Sequence, residues 1–441
     1  MHIFEKHESI VRSYCRDYTE VFETSKDEFV FSGGNTYLDF LSGCGALNYG
    51  HNPNKIKKSL IKYIENNGVT HSMDCHTAAK KEFIKTFVNA ILKPRNLDYR
   101  LQFPGPTGTN GIEAAIKLAR KVTNRSSVIS FTNGFHGCTL GALALTGSQY
   151  HRNASVASLH GTQRHYYDGY FGDAVDTCEM LEQSLKDPSS GFDAPAAIVV
   201  ECVQGEGGIN VASRKWLRRL QTIANAVGAL LIVDDIQAGC GRTGSFFSFE
   251  KAGIKPDIVV LSKSLSGYGL PFSMVLLKPE HDQWNPGEHN GTFRGNNHAF
   301  VTATAALEQF WRDDKLERSV EVKELSARTF FISRMAEHGY ELRGRGLLLG
   351  IETNNEELAS SVKAACFENN LIVETCGPRD TVVKILPPLT ISNENLIRGL
   401  STICDHLIAC KAGNGKSVVD KGIPDLIRGK DNRVGPIHVQ Q

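Results

Sequence analysis

Between about residues 99 and 280 short apolar runs alternate with amphipathic stretches, and this alternation constrains the fold more than any other feature. The runs are Tyr99–Phe103, Ser127–Phe131, Ala196–Glu201, Ala229–Asp234, Ile258–Leu261 and Ser273–Leu277. Apart from Tyr99–Phe103 they are near-continuous apolar runs, the pattern of strands buried on both faces. Helical periodicity lies between them, as in Ile112, Ala115, Ile116 and Ala119 at i, i+3, i+4 and i+7. Strand–helix alternation of this kind predicts an α/β domain around a mostly parallel central sheet.

The two ends read differently. Residues 1–60 hold a helical start and then FVFSGGNTYLDFLSG, which predicts a small hairpin turning at Gly33-Gly34. From about residue 311 a charged helix (RDDKLERSVEVKELSARTFFISRM) precedes short strands near GLLLGIE and TVVKILPPL. The expected organisation is a large α/β domain over 61–310 and a smaller α+β domain built from 1–60 and 311–410. A Gly-, Lys- and Asp-rich tail follows over 411–441.

Composition excludes more than it assigns. With 441 residues, 22% of them charged, and a formal net charge of +1, there is no electrostatic reason to expect a nucleic acid or membrane surface as partner. The eleven cysteines are scattered, with no C-x-x-C, and the first residues carry no secretory apolar segment. This reads as a reduced, cytoplasmic protein with free thiols. No apolar run approaches the ~20 residues of a membrane span. The fifteen histidines show no grouping of metal-ligand type, and no metal is expected.

Two of the apolar runs end in functional groups. ALLIVDDIQAG ends in Asp234-Asp235, and DIVVLSK ends in Lys263. Taken singly, such an aspartate caps a helix and such a lysine is solvated. The 29-residue spacing, however, fits one loop–helix–strand unit, which sends both side chains out at one sheet edge, where parallel α/β sheets bind ligands. A third part precedes the first helix. FPGPTGTNGIEAAIKLAR places a Gly-, Pro- and Thr-rich turn before an amphipathic segment, so the amides of Gly108 and Thr109 face outward at a helix start, a site suited to phosphate. Alone, Thr109 or Asn110 reads equally as an N-cap.

Together the parts ask for a ligand with a phosphate, a group that an aspartate favours, and an electrophile for a lysine. Pyridoxal 5′-phosphate (PLP) meets all three requirements. A carboxylate about 4 Å from the ring nitrogen is worth about 4 kcal/mol at a surface-like dielectric, or about three pK units. That keeps the ring protonated and able to accept electrons.

These residues resemble the class III (ω-amino) aminotransferases, fold-type I PLP enzymes, and the resemblance runs from about residue 20 to about residue 408. LLIVDDIQAGCGRTGSF is similar to the family's Asp…Gln signature; it implies that Asp234 pairs the pyridine nitrogen and Gln237 the ring hydroxyl. LSKSL resembles the segment whose lysine, here Lys263, forms the Schiff base. PTGTNGIEAAIKLAR resembles the phosphate turn, with Gly108 and Thr109 at the matching places. FTNGFHGCTLGAL implies that Phe135 stacks on the ring, and VECVQGEGGINVA implies that Glu206 lies in the substrate pocket. HNGTFRGNN resembles a stretch that gives a phosphate-binding threonine, here Thr292, to a neighbouring subunit, which implies a homodimer with composite sites. Outside the resemblance, Phe135 reads equally as core, Glu206 as a helix-start acid and Gln237 as a helix cap.

GALNYGHN, QFPGPTGTN and LSKSLSGYGLPFSMVLLKPEHDQW further resemble a subgroup that moves the amine of glutamate onto an amino-aldehyde, releasing 2-oxoglutarate. One departure stands out. Lys384, in VVKILPPL, occupies the place where many members carry an arginine that clamps a substrate carboxylate. A lysine offers a point charge on a flexible stem instead of a planar fork.

Overall fold

The alternation resolves into a seven-stranded sheet flanked by two smaller ones. A computed structural model describes residues 2–153 and 159–411. In chain order the strands are β1 (Thr24–Lys26), β2 (Phe29–Ser32), β3 (Asn35–Asp39), β4 (Arg100–Gln102), β5 (Val128–Phe131), β6 (Thr162–His165), β7 (Ala197–Val200), β8 (Val203–Gln204) and β9 (Asn210–Val211). They continue with β10 (Leu230–Asp234), β11 (Ile258–Leu261), β12 (Met274–Leu277), β13 (Glu341–Arg345), β14 (Leu348–Glu352), β15 (Leu371–Ile372), β16 (Glu374–Cys376) and β17 (Val382–Ile385).

The central sheet has the order β4-β12-β11-β10-β7-β5-β6. Only β12 runs against its neighbours, β11 and β4. All six predicted runs form strands of this sheet. The seventh, β6, went unpredicted because Thr162-Gln163-Arg164-His165 lies at the sheet edge and lacks an apolar run. Alternate residues feed two cores. Leu231, Val233, Val259 and Leu261 enter one, while Leu230, Ile232, Ile258 and Val260 pack with Ile112, Ala115, Ile116 and Ala119 of the helix Gly108–Thr123 in the other. Both faces are covered, which is why these strands carry no polar alternation.

One expectation fails. The link from β10 to β11 contains no α-helix; apart from one helical turn at Glu250–Ala252 it is irregular, and its first half is almost wholly buried. Gly241 shows the reason. Its φ is +88°, and a Cβ there would lie 2.9 Å from the Trp311 ring, so the chain here follows a close approach that a regular helix does not permit. The buried Arg242 then acts as an internal post. It donates to Asn48 Oδ1 (3.1 and 2.5 Å), to the Leu347 carbonyl (3.1 Å) and to the Pro387 carbonyl.

The predicted hairpin is present. β2 and β3 pair with Ser32 opposite Asn35, and Gly33 and Gly34 both take positive φ, as a two-residue turn requires. β15 then pairs with β3 in parallel, Leu371 opposite Leu38, so segments from both ends of the chain share the sheet β1-β2-β3-β15. The third sheet, β13-β14-β17-β16, is antiparallel. All eleven cysteines are free, and no described helix is long and apolar enough to cross a membrane. Residues 412–441 of the expected tail lie outside the described residues.

Candidate active site

β10 and β11 are parallel neighbours with Asp234 opposite Val260. Lys263 follows three residues on, so the aspartate and the lysine leave the sheet at the same rim. Ser262 donates to the Phe272 carbonyl at 2.7 Å, tying off the strand. Lys263 then takes φ +47°, a left-handed conformation costing about 1–2 kcal/mol for a side-chain-bearing residue. The next residue holds the turn: Ser264 Oγ donates to the Gly45 carbonyl at 2.6 Å and accepts from the Asn48 amide at 3.1 Å. Such local strain is characteristic of positions where a side chain must be aimed.

Asp234 is itself buried and held. Oδ1 accepts from the Ile236 amide at 3.1 Å, and Oδ2 is 2.7 Å from Nδ1 of the buried His136. Burial disfavours the imidazolium, but the hydrogen bond and charge of Asp234, with Glu201 behind them, outweigh it and raise the His136 pKa. His136 therefore donates to Asp234. The carboxylate keeps lone pairs for a further N–H donor.

The predicted phosphate turn arrives at the same place. The helix Gly108–Thr123 is capped by Thr107, in a reciprocal box with Asn110. The structure thus assigns the capping to Thr107 and leaves the Gly108 and Thr109 amides at the first turn. A Cβ on Gly108 would lie 2.8 Å from Ile236 Cδ1, two residues after Asp234. A Cβ on Gly137 would lie 2.4 Å from Thr109 Oγ1, so the segment carrying Phe135 and His136 also abuts this turn. Phe135 is half-buried; its amide donates to Glu201 Oε2 at 3.1 Å and its ring meets His151 edge-on at 5.3 Å. Burial pushes the Glu201 carboxyl up to about 7, against the pull of His136.

A ring of hydrogen bonds extends from this rim. Gln237 Nε2 donates to the Cys44 carbonyl and to Glu206 Oε1, both at 3.0 Å. Lys384 Nζ donates to the same Glu206 oxygen at 2.6 Å and to Glu374 Oε2 at 3.3 Å. Tyr14 OH donates to Glu374 Oε1 at 2.7 Å and lies 2.8 Å from Cys44 Sγ, which closes the ring. Burial opposes the Glu206 carboxylate, but the Lys384 and Lys263 ammonium groups hold its pKa at about 2. The same Lys263 charge reaches Cys44, so the lysine and this ring belong to one site.

Gln237 Oε1 is buried and has no hydrogen-bond partner, and a Cβ on Gly205 would lie 1.6 Å from it. An orphaned acceptor beside Asp234 fits the hydroxyl of a bound pyridine ring. With the outward Gly108 and Thr109 amides and Lys263 at the same rim, the residues present fit PLP.

Thr292 stands apart. It is exposed, its carbonyl accepts from His71 Nε2 at 2.9 Å, and Phe293 beside it is 68% exposed. Of the other residues in the cluster, His136 and Glu201 carried signals within motifs read for their neighbours. Tyr14 lies in MHIFEKHESIVRSYCR, a stretch that also resembles the subgroup but implies no role for it; Cys44 and Glu374 carried no signal, because the convergence of all three depends on strand register and on the return of the N-terminal segment.

A mostly parallel α/β sheet with a lysine and a hydrogen-bonded aspartate at one rim defines a PLP-dependent enzyme of fold type I. Comparison with known proteins agrees. The family model for aminotransferase class-III matches residues 21–407. A Vibrio cholerae diaminobutyrate–2-oxoglutarate transaminase is 54% identical over 407 residues, covering 91% of this chain and 98% of that one. A Halalkalibacterium halodurans protein of the same name is 51% identical over 413 residues, covering 93% and 96%. Among solved structures, a Toxoplasma gondii ornithine aminotransferase with PLP partially occupying its active site superposes with a TM-score of 0.81 at 27% identity, covering 94% of this chain and 95% of that one. The chain belongs to the class III aminotransferases, and it is an enzyme that uses PLP.

Proposed function

We propose that this enzyme transfers the amino group of L-glutamate to L-aspartate 4-semialdehyde, giving L-2,4-diaminobutyrate and 2-oxoglutarate, reversibly. The observation that carries the substrate reading is the fully buried Lys384, paired with Glu206 at 2.6 Å on the ring that begins at Gln237. It supplies one cation for a substrate carboxylate. The relatives at 51–54% identity named for this reaction support the same assignment. The product would feed ectoine and related biosyntheses, and eleven free thiols support a cytoplasmic setting.

When bound, PLP supplies the electron sink. Lys263 Nζ would be the base that takes the proton from the carbon bearing the donor amine in the first half of the reaction and delivers a proton to the carbon that receives the amine in the second. Asp234, oriented by His136, holds the ring N–H; Gln237 holds the ring hydroxyl; the Gly108 and Thr109 amides hold the phosphate; Phe135 covers one ring face. Glu206 pairs Lys384 in the empty site and swings aside when a substrate carboxylate takes its place. Thr292, facing outward, would serve the phosphate of a second copy in a homodimer.

Product analysis by mass spectrometry, with glutamate and aspartate semialdehyde supplied, tests the reading. Diaminobutyrate formed in step with 2-oxoglutarate is the expected result. Turnover confined to 4-aminobutyrate, ornithine or acetylornithine would reassign the enzyme to another class III reaction.

A further inference from the structure

Lys384 faces two carboxylates where one would neutralise it. Glu374 and Lys384 are direct cross-strand partners on β16 and β17, so their side chains leave one face of the sheet together. Lys384 is fully buried, and the side chains of Glu206 and Glu374 are 29% and 12% exposed. The cluster thus carries one ammonium against two carboxylates. Glu374 is also held from behind. Tyr14 OH occupies its Oε1, and the Tyr14 segment is anchored by Tyr18 OH to the Val373 carbonyl, one residue before Glu374, and by Asp17 to Lys363 of the helix Glu356–Glu368 at 2.9 Å. Burial raises the Cys44 pKa to about 11, so its thiol stays protonated and can donate to the Tyr14 oxygen.

An ω-amino acid with a bare carboxylate at its far end needs Lys384 and would be repelled by a second carboxylate. A diamino acid ends instead in a carboxylate and an ammonium on one carbon. We infer that Glu374 and Lys384 form a two-point reader for that zwitterionic head, Glu374 taking the ammonium and Lys384 the carboxylate, with Tyr14 as the residue that positions Glu374. The inference rests on the diaminobutyrate reading above and names the residues that select it.

Three amine donors separate the terms. L-2,4-diaminobutyrate carries both head groups, 4-aminobutyrate lacks the ammonium, and 1,3-diaminopropane lacks the carboxylate. In the holoenzyme, Glu374→Gln should lower kcat/KM about 10–100-fold for diaminobutyrate and diaminopropane, the scale of one charged hydrogen bond. The loss should fall on KM, with 4-aminobutyrate unchanged or improved. Tyr14→Phe, which keeps the shape and frees one oxygen of Glu374, should show the same pattern in weaker form, and it stands as the test if Glu374→Gln fails to fold. Equal losses on all three donors, or no loss on any, would overturn the reader. A wild-type enzyme that ignores diaminobutyrate would sink the proposed function instead, and the other two donors would still report on Glu374.

Discussion

Asp234 illustrates how much chemistry one residue draws from its neighbours. His136 and the Ile236 amide fix its carboxyl group, which the proposed role sets opposite a ring N–H. Asp234→Ala should therefore still bind PLP, as read by the cofactor's absorbance, yet lose most turnover; near-normal rates would contradict the electron-sink role. The adjacent Asp235, just past the end of the strand, does different work. It is fully buried, accepts from the Ser248 amide at 3.0 Å, and is pushed by burial up to about 7. A carboxyl whose folded pKa lies above its unfolded value near 4 destabilises the fold once it is forced to ionise. Its penalty grows as pH rises from about 4 and is complete above about 7. Asp235→Asn keeps the acceptor and removes the charge, so thermal melts of the variant should lose less stability than the wild type between pH 6 and 8. An identical pH dependence would refute the assignment.

At the scale of elements, the segment between β10 and β11 matters most. It brings Asp234 and Lys263 to one rim without a crossover helix, and it is stiffened by Arg242 linking Asn48, Leu347 and Pro387. Arg242→Met would strand three buried acceptors at about 1–3 kcal/mol each. Denaturant melts should show a loss of about 3 kcal/mol or more, and a change under 1 kcal/mol would mean that the post is dispensable. Arg242 also marks the border of what was legible in the chain. The strands with apolar runs, the hairpin at Gly33-Gly34 and the shared rim of Asp234 and Lys263 all follow from local pattern and from the rule for parallel sheets. The helix-free link does not, because its conformation is set by Trp311 and Leu347, far along the chain. The Glu374–Lys384 pair was hidden for a similar reason: a lysine in a buried strand declares its cost but not its partner, which only the β16–β17 register supplies.

For the whole molecule, a net charge of +1 provides little long-range steering, so the homodimer proposed above would rest on local complementarity. Phe293 at 68%, Met73 at 57% and Val69 at 51% exposure supply apolar surface around Thr292 and its partner His71. Sedimentation should give a particle of twice 48.5 kDa or a multiple of it. Phe293→Asp should shift it toward the monomer and lose activity with it, and a fully active monomer would remove the composite site. The chemistry proposed above depends on Lys263 being the nucleophile of a PLP site whose counter-ion is Asp234. The most direct test reduces the holoenzyme with borohydride, digests it and locates the phosphopyridoxyl group by mass spectrometry. The label is expected on the peptide containing Lys263 and its loss is expected in Lys263→Ala; a label on any other lysine, or one that survives the substitution, would show that another residue is the nucleophile.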